Sequence, residues 1–293
     1  MDTDTNTQAE TVGWHLTPDL DDFLAQAGAF LRSRPALHTV PLTVTETLRT
    51  RGRSVYGDGA PEFGVLEREG AVRATFFRTP PHWLNLTALS PEDADTLAAR
   101  LSALGRGLPG VNAETDTAAA FATAWQRHTG APAALRQRQR LYRLGTLTAP
   151  GPVPPGRPRA AVESDRERLR RWHDEFSESV GLGTVRDSAE WADARIDTGT
   201  ITFWETPDGT PVAMAGTSPR VAGQVRVTTV YTPPHLRGHG YAGAATAEIS
   251  RAALAAGADE VLLFTDLSNP TSNDLYQRIG YRPVADFAVY DFT

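Results

Sequence analysis

Apolar residues recurring three and four apart among charged ones predict a helix over DLDDFLAQAGAFLRSR and a second helix reaching Thr50. The pattern then shortens to β-rich runs. EFGVLE and AVRATFFR flank the turn Arg68-Glu69-Gly70 as a hairpin, and HWLNLTAL reads as a strand after Pro80-Pro81. Ser90-Pro91-Glu92 opens a helix, with Ser90 as N-cap, proline at the first helical position and acids in the first turn. A short strand near Val111, a helix over TAAAFATAWQRH and a strand over ALRQRQRLYRL follow.

The run TAPGPVPPGRP at residues 148–158 can hold neither a helix nor a central strand, so it reads as a semi-rigid linker. It divides the chain into residues 1–147 and 159–293. Beyond it, RPRAAVES reads as a strand and Asp165–Ser179 as a helix, with Leu169, Trp172 and Phe176 on one face. A second helix covers about Ser188–Asp197. ITFWET and PVAMAGTSPR form a hairpin about Pro207-Asp208-Gly209, followed by the strand QVRVTTVY. The helix YAGAATAEISRAALAAG comes next, with an apolar stripe through Ala242, Ala245, Ile249, Ala252 and Ala256. The strand EVLLFTD, the helix PTSNDLYQRIG and a last strand FAVYDF close the chain.

Both halves carry the order hairpin, strand, helix, strand, helix, strand. Trp125-Gln126-Arg127 before Gly130 parallels Tyr276-Gln277-Arg278 before Gly280. This repetition predicts an internal duplication within an α/β architecture of mixed sheets.

Composition narrows the chemistry. The 293 residues contain no cysteine, which removes disulfides, thiolate metal sites and a cysteine nucleophile. Every basic side chain apart from histidine is arginine, as no lysine occurs. The net charge of −6 argues against a nucleic-acid partner and leans toward cationic substrates. The polar, acidic start MDTDTNTQAETVG lacks the features of a signal peptide, and no apolar run approaches a membrane span, so a soluble cytoplasmic protein is expected, with no membrane partner. Arg136, Arg138 and Arg140 alternate on one strand, where a solvated or acid-paired face is the expected reading.

The chemically informative stretch runs from Val230 to Ala242, a strand that stops at Pro233-Pro234 and turns through Arg237-Gly238-His239-Gly240-Tyr241-Ala242 into a helix. Glycines there let backbone N–H groups approach a pyrophosphate, and the helix start adds its positive dipole end. This segment resembles the pyrophosphate-binding motif of the GNAT superfamily of acyltransferases. The run LLFTDLSNPTSNDLYQRIGY, Leu262–Tyr281, resembles the superfamily's second cofactor motif. The wording is similar to that of bacterial FR47-like acetyltransferases. The likeness covers most of residues 159–293 and is densest from Val230 to Pro283.

The resemblance implies tandem GNAT-like domains: a degenerate one over 1–147 and a catalytic one over 159–293. It implies acetyl-CoA, or another short acyl-CoA, as co-substrate without a metal, and a small-molecule amine as acceptor. Acylation of a protein or carrier-bound amine, and a catalytically silent acyl-CoA-binding module, are the alternatives; homodimer formation stays open. Arg237, Gly238, His239, Gly240, Tyr241 and Ala242 would cradle the pyrophosphate, and Val230, Tyr231 and Thr232 would bond the pantetheine amides along the strand. Asn269 would contact the pantetheine arm and could also cap the following helix. Tyr276 would protonate the leaving thiolate. The glutamate that many members place on the preceding strand is missing from QVRVTTV, which leaves Asp266 and Glu205 as candidate bases acting through water, or solvent alone. In the N-terminal half, the matching turn Leu86–Asp93 has no glycine and carries Glu92 and Asp93, which would repel CoA.

Overall fold

The computed structural model describes residues 13–181 and 188–293, which gather into two compact units. The first takes the described residues up to Arg34, Asp58–Arg136 and Ala288–Thr293; the second takes Pro35–Gly57 and the described residues of Gln137–Phe287.

In chain order the elements begin with β1 (Gly13–Thr17), α1 (Leu20–Ser33) and α2 (Thr39–Arg51), the last belonging to the second unit. The first unit continues with β2 (Glu62–Arg68), β3 (Ala71–Arg78), β4 (Leu84–Leu86), α3 (Pro91–Ala103), β5 (Gly110–Glu114) and α4 (Thr115–Thr129). Its strands lie in the order β1-β2-β3-β4-β5, antiparallel except for the parallel pair β4 and β5. The next position is filled by the end of β12 (Tyr281–Phe292), where Phe292 N–H donates to Pro109 O at 2.9 Å. Its core joins Trp14, Phe76, Leu84, Leu97, Leu101, Phe121, Trp125 and Phe292.

The second unit is built from β6 (Ala133–Leu144, from Gln137 on), β7 (Arg157–Ala160), α5 (Arg166–Ser179), α6 (Ser188–Asp197), β8 (Ile201–Glu205), β9 (Pro211–Thr217) and β10 (Gln224–Tyr231). It ends with α7 (Tyr241–Ala255), β11 (Glu260–Asp266), α8 (Pro270–Arg278) and the start of β12. The strand order is β7-β8-β9-β10-β11-β6, with β10 and β11 parallel and β11 antiparallel to β6. The two units therefore repeat one plan: an edge strand, a hairpin, then a parallel pair joined by a helix. In each unit the strand beyond the parallel pair comes from elsewhere in sequence, β12 in one and β6 in the other.

Two apolar layers flank the second unit's sheet. Val225, Val227, Val261 and Leu263 pack with Ala244, Ala245, Ile249, Tyr276 and Ile279 on the α7–α8 side. Phe203, Met214 and Tyr231 pack with Leu169, Trp172 and Trp191 on the α5–α6 side. The expected stripe of α7 holds only at Ala245 and Ile249: Ala252 and Ala256 are exposed, and the buried face instead gathers Gly243–Ala247, Ile249 and Ser250. Small side chains from Ala242 to Ala247 let that part of α7 lie close to the sheet.

Several boundaries differ from expectation. β1 is absent from the pattern reading because GWHLT is short and bounded by polar residues. β4 keeps only three residues of HWLNLTAL. β12 starts at Tyr281, six residues before FAVYDF. Arg136 pairs with Asp291 and Arg140 with Asp286, the acid-paired face expected of that strand. No described helix is long and apolar enough to cross a membrane.

A buried polar knot fixes α8 against the sheet. Asn273 Nδ2 donates to Asp266 O and to Asn269 O, both at 2.8 Å, while Tyr142 Oη donates to Asn273 Oδ1 at 3.0 Å. Replacing one member leaves the others buried and unpaired, at about 1–3 kcal/mol for each orphaned group. Asn273→Ala is thus expected to lose about 2–4 kcal/mol in equilibrium urea unfolding followed by tryptophan fluorescence. A loss below about 0.5 kcal/mol would mean that the knot is replaceable by water.

Candidate active site

The site begins with a failure of strand pairing. β10 and β11 are parallel and in register over Gln224–Val227 against Glu260–Leu263, and the pairing stops there. On the other side of β10, Thr228 opposes Gly216 and Tyr231 opposes Met214, so Thr229 and Val230 together face a single residue of β9. Thr229 takes φ +49°, a conformation rare for a β-branched residue, and turns the strand away from β11. Thr228, Thr229 and Val230 all keep partial exposure. Backbone groups are thereby available in the middle of a sheet, where they would ordinarily be bonded.

Past Tyr231 the chain forms the cradle. A short 3₁₀ turn over Pro234–Leu236 is closed by Leu236 N–H on Pro233 O at 2.9 Å, and Arg237 Nε donates to Thr232 O at 3.1 Å. Gly238 and Gly240 both sit at φ +82°, the left-handed region that glycine enters without penalty. Gly240 is the N-cap of α7 and offers no side chain, and the first return bond is Ala244 N–H to Gly240 O at 3.1 Å. The amides from Gly238 to Gly243 therefore have no backbone acceptor among the described residues. A pyrophosphate fits this donor set: several N–H groups and the positive end of a 15-residue helix. His239 is turned to a structural task, since its Nδ1 lies 2.9 Å from Arg237 O and 3.2 Å from Leu236 O and so must carry the proton; its ring stacks on Tyr241.

The corresponding place in the first unit is closed. Ser90 Oγ accepts the Asp93 amide at 3.1 Å and so caps α3 from within, while Asp93 pairs with Arg68. Asn112 Nδ2 donates to Asn85 Oδ1 at 3.1 Å, a side-chain bond across the last pair of the parallel β4–β5 ladder.

The remaining sequence candidates divide. Asn269 is the N-cap of α8, its side chain accepting the Ser272 amide at 3.0 Å. Tyr276 is buried in the α7–α8 core, with its ring 6.1 Å from that of Tyr281. Burial pushes its phenol up to about 12, so it holds its proton at any physiological pH, and its hydroxyl makes no hydrogen bond among the described residues. Tyr231 contributes backbone to the opening, but its side chain turns to the other face and donates to Glu175 Oε2 at 2.7 Å; burial, then the Glu175 bond, lift it to about 12.

The two candidate bases are engaged. Glu205 is neither solvated nor free: it is buried, paired with Arg159 and 3.5 Å from Arg157 Nε, and Arg159 in turn bonds Asp165 at 2.6 Å. Asp266 is opposed by burial yet held below the usual carboxylate range by hydrogen bonds from Gln137 and the Ser268 amide. Glu175, which sequence reasoning did not weigh, lies on α5 beside the end of β10; its only signal is the i,i+4 spacing to Arg171. Tyr142 and Asn273 were also missed, since their partners are far apart in sequence.

Comparison with known proteins agrees with this geometry. Residues 166–281 match the model of the acetyltransferase (GNAT) family. No curated protein sequence matches. Among solved structures, a GCN5-related N-acetyltransferase from Sphaerobacter thermophilus aligns with TM-score 0.62 and 16% identity, over 94% of each chain. A GNAT-family acetyltransferase from Colwellia psychrerythraea gives 0.59 and 11%, over 95% of this chain and 98% of the other. A tandem GNAT protein from the clavulanic acid biosynthesis pathway gives 0.56 and 12%, over 96% and 98%. At these identities the likeness is one of fold.

Two outcomes follow from the site. Gly240→Asp puts a side chain and a negative charge at the helix start, so calorimetric binding of CoA should fall at least about 100-fold, about 2.7 kcal/mol, while the melting temperature stays within a few degrees. Undiminished binding would remove the cradle from α7. Glu205→Gln should lower the melting temperature by several degrees through the weakened Arg159 network yet leave turnover of the folded protein within about twofold. A large loss of kcat without loss of stability would return Glu205 to catalysis.

Proposed function

Because this chain belongs to the GNAT superfamily, we propose that its C-terminal half binds an acyl-CoA, acetyl-CoA above all, and N-acetylates a small-molecule amine by direct attack. The observation that carries this reading is the parting of β10 from β11 beside an uncapped, glycine-bounded helix start. In this reading residues 1–147 are a degenerate domain, residues 148–158 a linker and residues 159–293 the catalytic domain.

The roles follow from what each group can do. Amides of the Gly238–Gly243 stretch bond the pyrophosphate. The freed backbone of Val230–Thr232 continues its strand onto the pantetheine amides, and an N–H from the bulge polarises the thioester carbonyl, which raises its susceptibility to an amine. The absence of cysteine leaves no thiol to carry a covalent acyl group, which favours direct attack. Tyr276 hands its proton to the departing sulfur.

With the phenol near 12 and a thiol near 8.5, that transfer is uphill by about 5 kcal/mol in reference terms. An expelled thiolate in the same apolar surroundings is raised as well, which narrows the gap. Removal of the amine proton falls to water, with Glu175 on α5, bonded to Tyr231 at the end of β10, a carboxylate suited to receive it once that bond is exchanged. Glu205 and Asp266 are already committed to hydrogen bonds and serve that step less well.

Release of free CoA from acetyl-CoA, followed with a thiol reagent across a panel of amines, tests the reading directly, and the protein adds no thiol background. Turnover with at least one amine is expected; failure to bind any acyl-CoA would overturn it. Tyr276→Phe removes one hydroxyl, so kcat should fall by about 10²- to 10⁴-fold while the acetyl-CoA dissociation constant moves less than about threefold. The high phenol pKa also implies that kcat shows no fall due to Tyr276 up to about pH 10. A Phe variant turning over at the wild-type rate, with chemistry rate-limiting, would make Tyr276 a structural aromatic.

A further inference from the structure

Alternation along β10 sends Val225 and Val227 into the α7–α8 core, so Gln224, Arg226 and Thr228 point to the opposite face of the sheet. That face is covered by α2, whose Thr39 Oγ1 donates to Gln224 Oε1 at 2.8 Å. All three residues carry a buried polar atom with no partner: Gln224 Nε2, Arg226 Nη1 and Thr228 Oγ1. Orphaned polar atoms are rare in folded proteins, and here three fall in a row on one strand face.

Arg226 is the decisive member. It makes no side-chain hydrogen bond or ion pair among the described residues, and the only charge partner acting on it is the Tyr56 hydroxyl. Burial pulls its guanidinium down to about 10, still cationic at neutral pH. The residue nevertheless keeps some accessible surface, so it is not sealed in the core. Other partly buried cations of this unit are matched: Arg159 has Asp165 and Glu205, Arg140 has Asp286 and Arg143 has Glu260. An unmatched buried charge is costly and is kept where a ligand supplies the counter-charge.

We propose that Arg226, with the Gln224 amide and the Thr228 hydroxyl, binds a carboxylate carried by the acceptor amine. A single guanidinium with two neutral helpers suits one planar, singly charged group that it can grip through two parallel N–H bonds. A phosphate would call for a second free cation, and Arg143, placed on the same sheet face by the Arg226–Leu262–Arg143 register, is already bonded to Glu260. The position suits the acceptor as well. Arg226 lies one residue before the last pair of the parallel ladder, and the opening begins at Thr228, about 7 Å further at roughly 3.3 Å per residue. A carboxylate held at Arg226 leaves an amine a few bonds away at the place where the thioester carbonyl would lie. This assignment rests on the acyltransferase reading for its acceptor, and on the geometry alone for its carboxylate site.

The test uses matched acceptors that differ only in the carboxylate: β-alanine against β-alaninamide, and 4-aminobutyrate against 4-aminobutyramide. With acetyl-CoA, wild-type protein should favour the carboxylate member by at least about tenfold in kcat/KM, mainly through KM. Arg226→Gln should erase that preference while leaving the amide rates and the acetyl-CoA dissociation constant unchanged. Equal use of both members by wild-type protein, or a preference that survives Arg226→Gln, would overturn the proposal.

Calorimetry of the same four compounds, with and without CoA, decides the matter even if none is turned over. Carboxylates binding wild-type protein but not Arg226→Gln support the site, and no carboxylate binding refutes it. Failure of acetyl-CoA to bind would defeat the acyltransferase reading while these titrations still judge Arg226. Stability gives a ligand-free readout: Arg226→Met removes an unmatched buried charge, so its melting temperature should rise by about 2–4 °C or more. A fall of that size would make Arg226 a structural cation.

Discussion

Everything at the site depends on β10 leaving β11 after Val227. A parallel pair inside a sheet would normally bond to its end, and a left-handed threonine costs about 1–3 kcal/mol. The bulge persists because both faces of β10 are held on either side of it. Val225 and Val227 are buried against α7, and Tyr231 is anchored by Trp172, 5.9 Å between ring centres, and by Glu175. The strand cannot rejoin β11 without pulling Tyr231 out of the α5–α6 core. Backbone strain at Thr229 is thus balanced by aromatic packing two residues away.

The first unit shows the same plan with its helix start closed. Its parallel strands are laced by Asn85 and Asn112, and its connecting helix starts with serine, proline and two acids. The second unit's helix starts after glycine, with no acceptor for its first amides among the described residues. One scaffold therefore carries two opposite treatments of a helix N-terminus. In one, the orphan donors are consumed by the chain itself; in the other, they are left for an anion.

Features set by local chemistry were legible in the sequence. Ser90 and Asn269 as N-caps and the glycines around His239 each act within a few residues, so their spacing reports their role. The repeated order of elements was legible for the same reason. Features created by distant pairing were not. Glu205 reads as a strand-end acid until β7 brings Arg157 and Arg159 beside it. Nothing local announces that β12 completes the strand order of the first unit and β6 that of the second, because strand neighbours are chosen by the whole sheet. The stripe of α7 failed because alanine is indifferent to burial, and a run of alanines gives no contrast from which to read a face.

Arg226 belongs to a third class, legible only as an anomaly. In sequence it is one of many arginines, on a strand where an alternating polar residue is ordinary. In the fold it is a strongly buried cation with no counter-charge among the described residues, on the face of β10 opposite the core that holds Tyr276. Under the acyltransferase reading proposed above, that separation would give the two faces of one strand different work: a polar face to receive an acceptor, and an apolar face to keep a phenol protonated beside the leaving sulfur. The bulge between them exposes the backbone to both. An amine arriving on the Arg226 side and a sulfur departing toward the Tyr276 side would lie on opposite sides of the carbonyl plane's strand, so attack and departure need not compete for the same space.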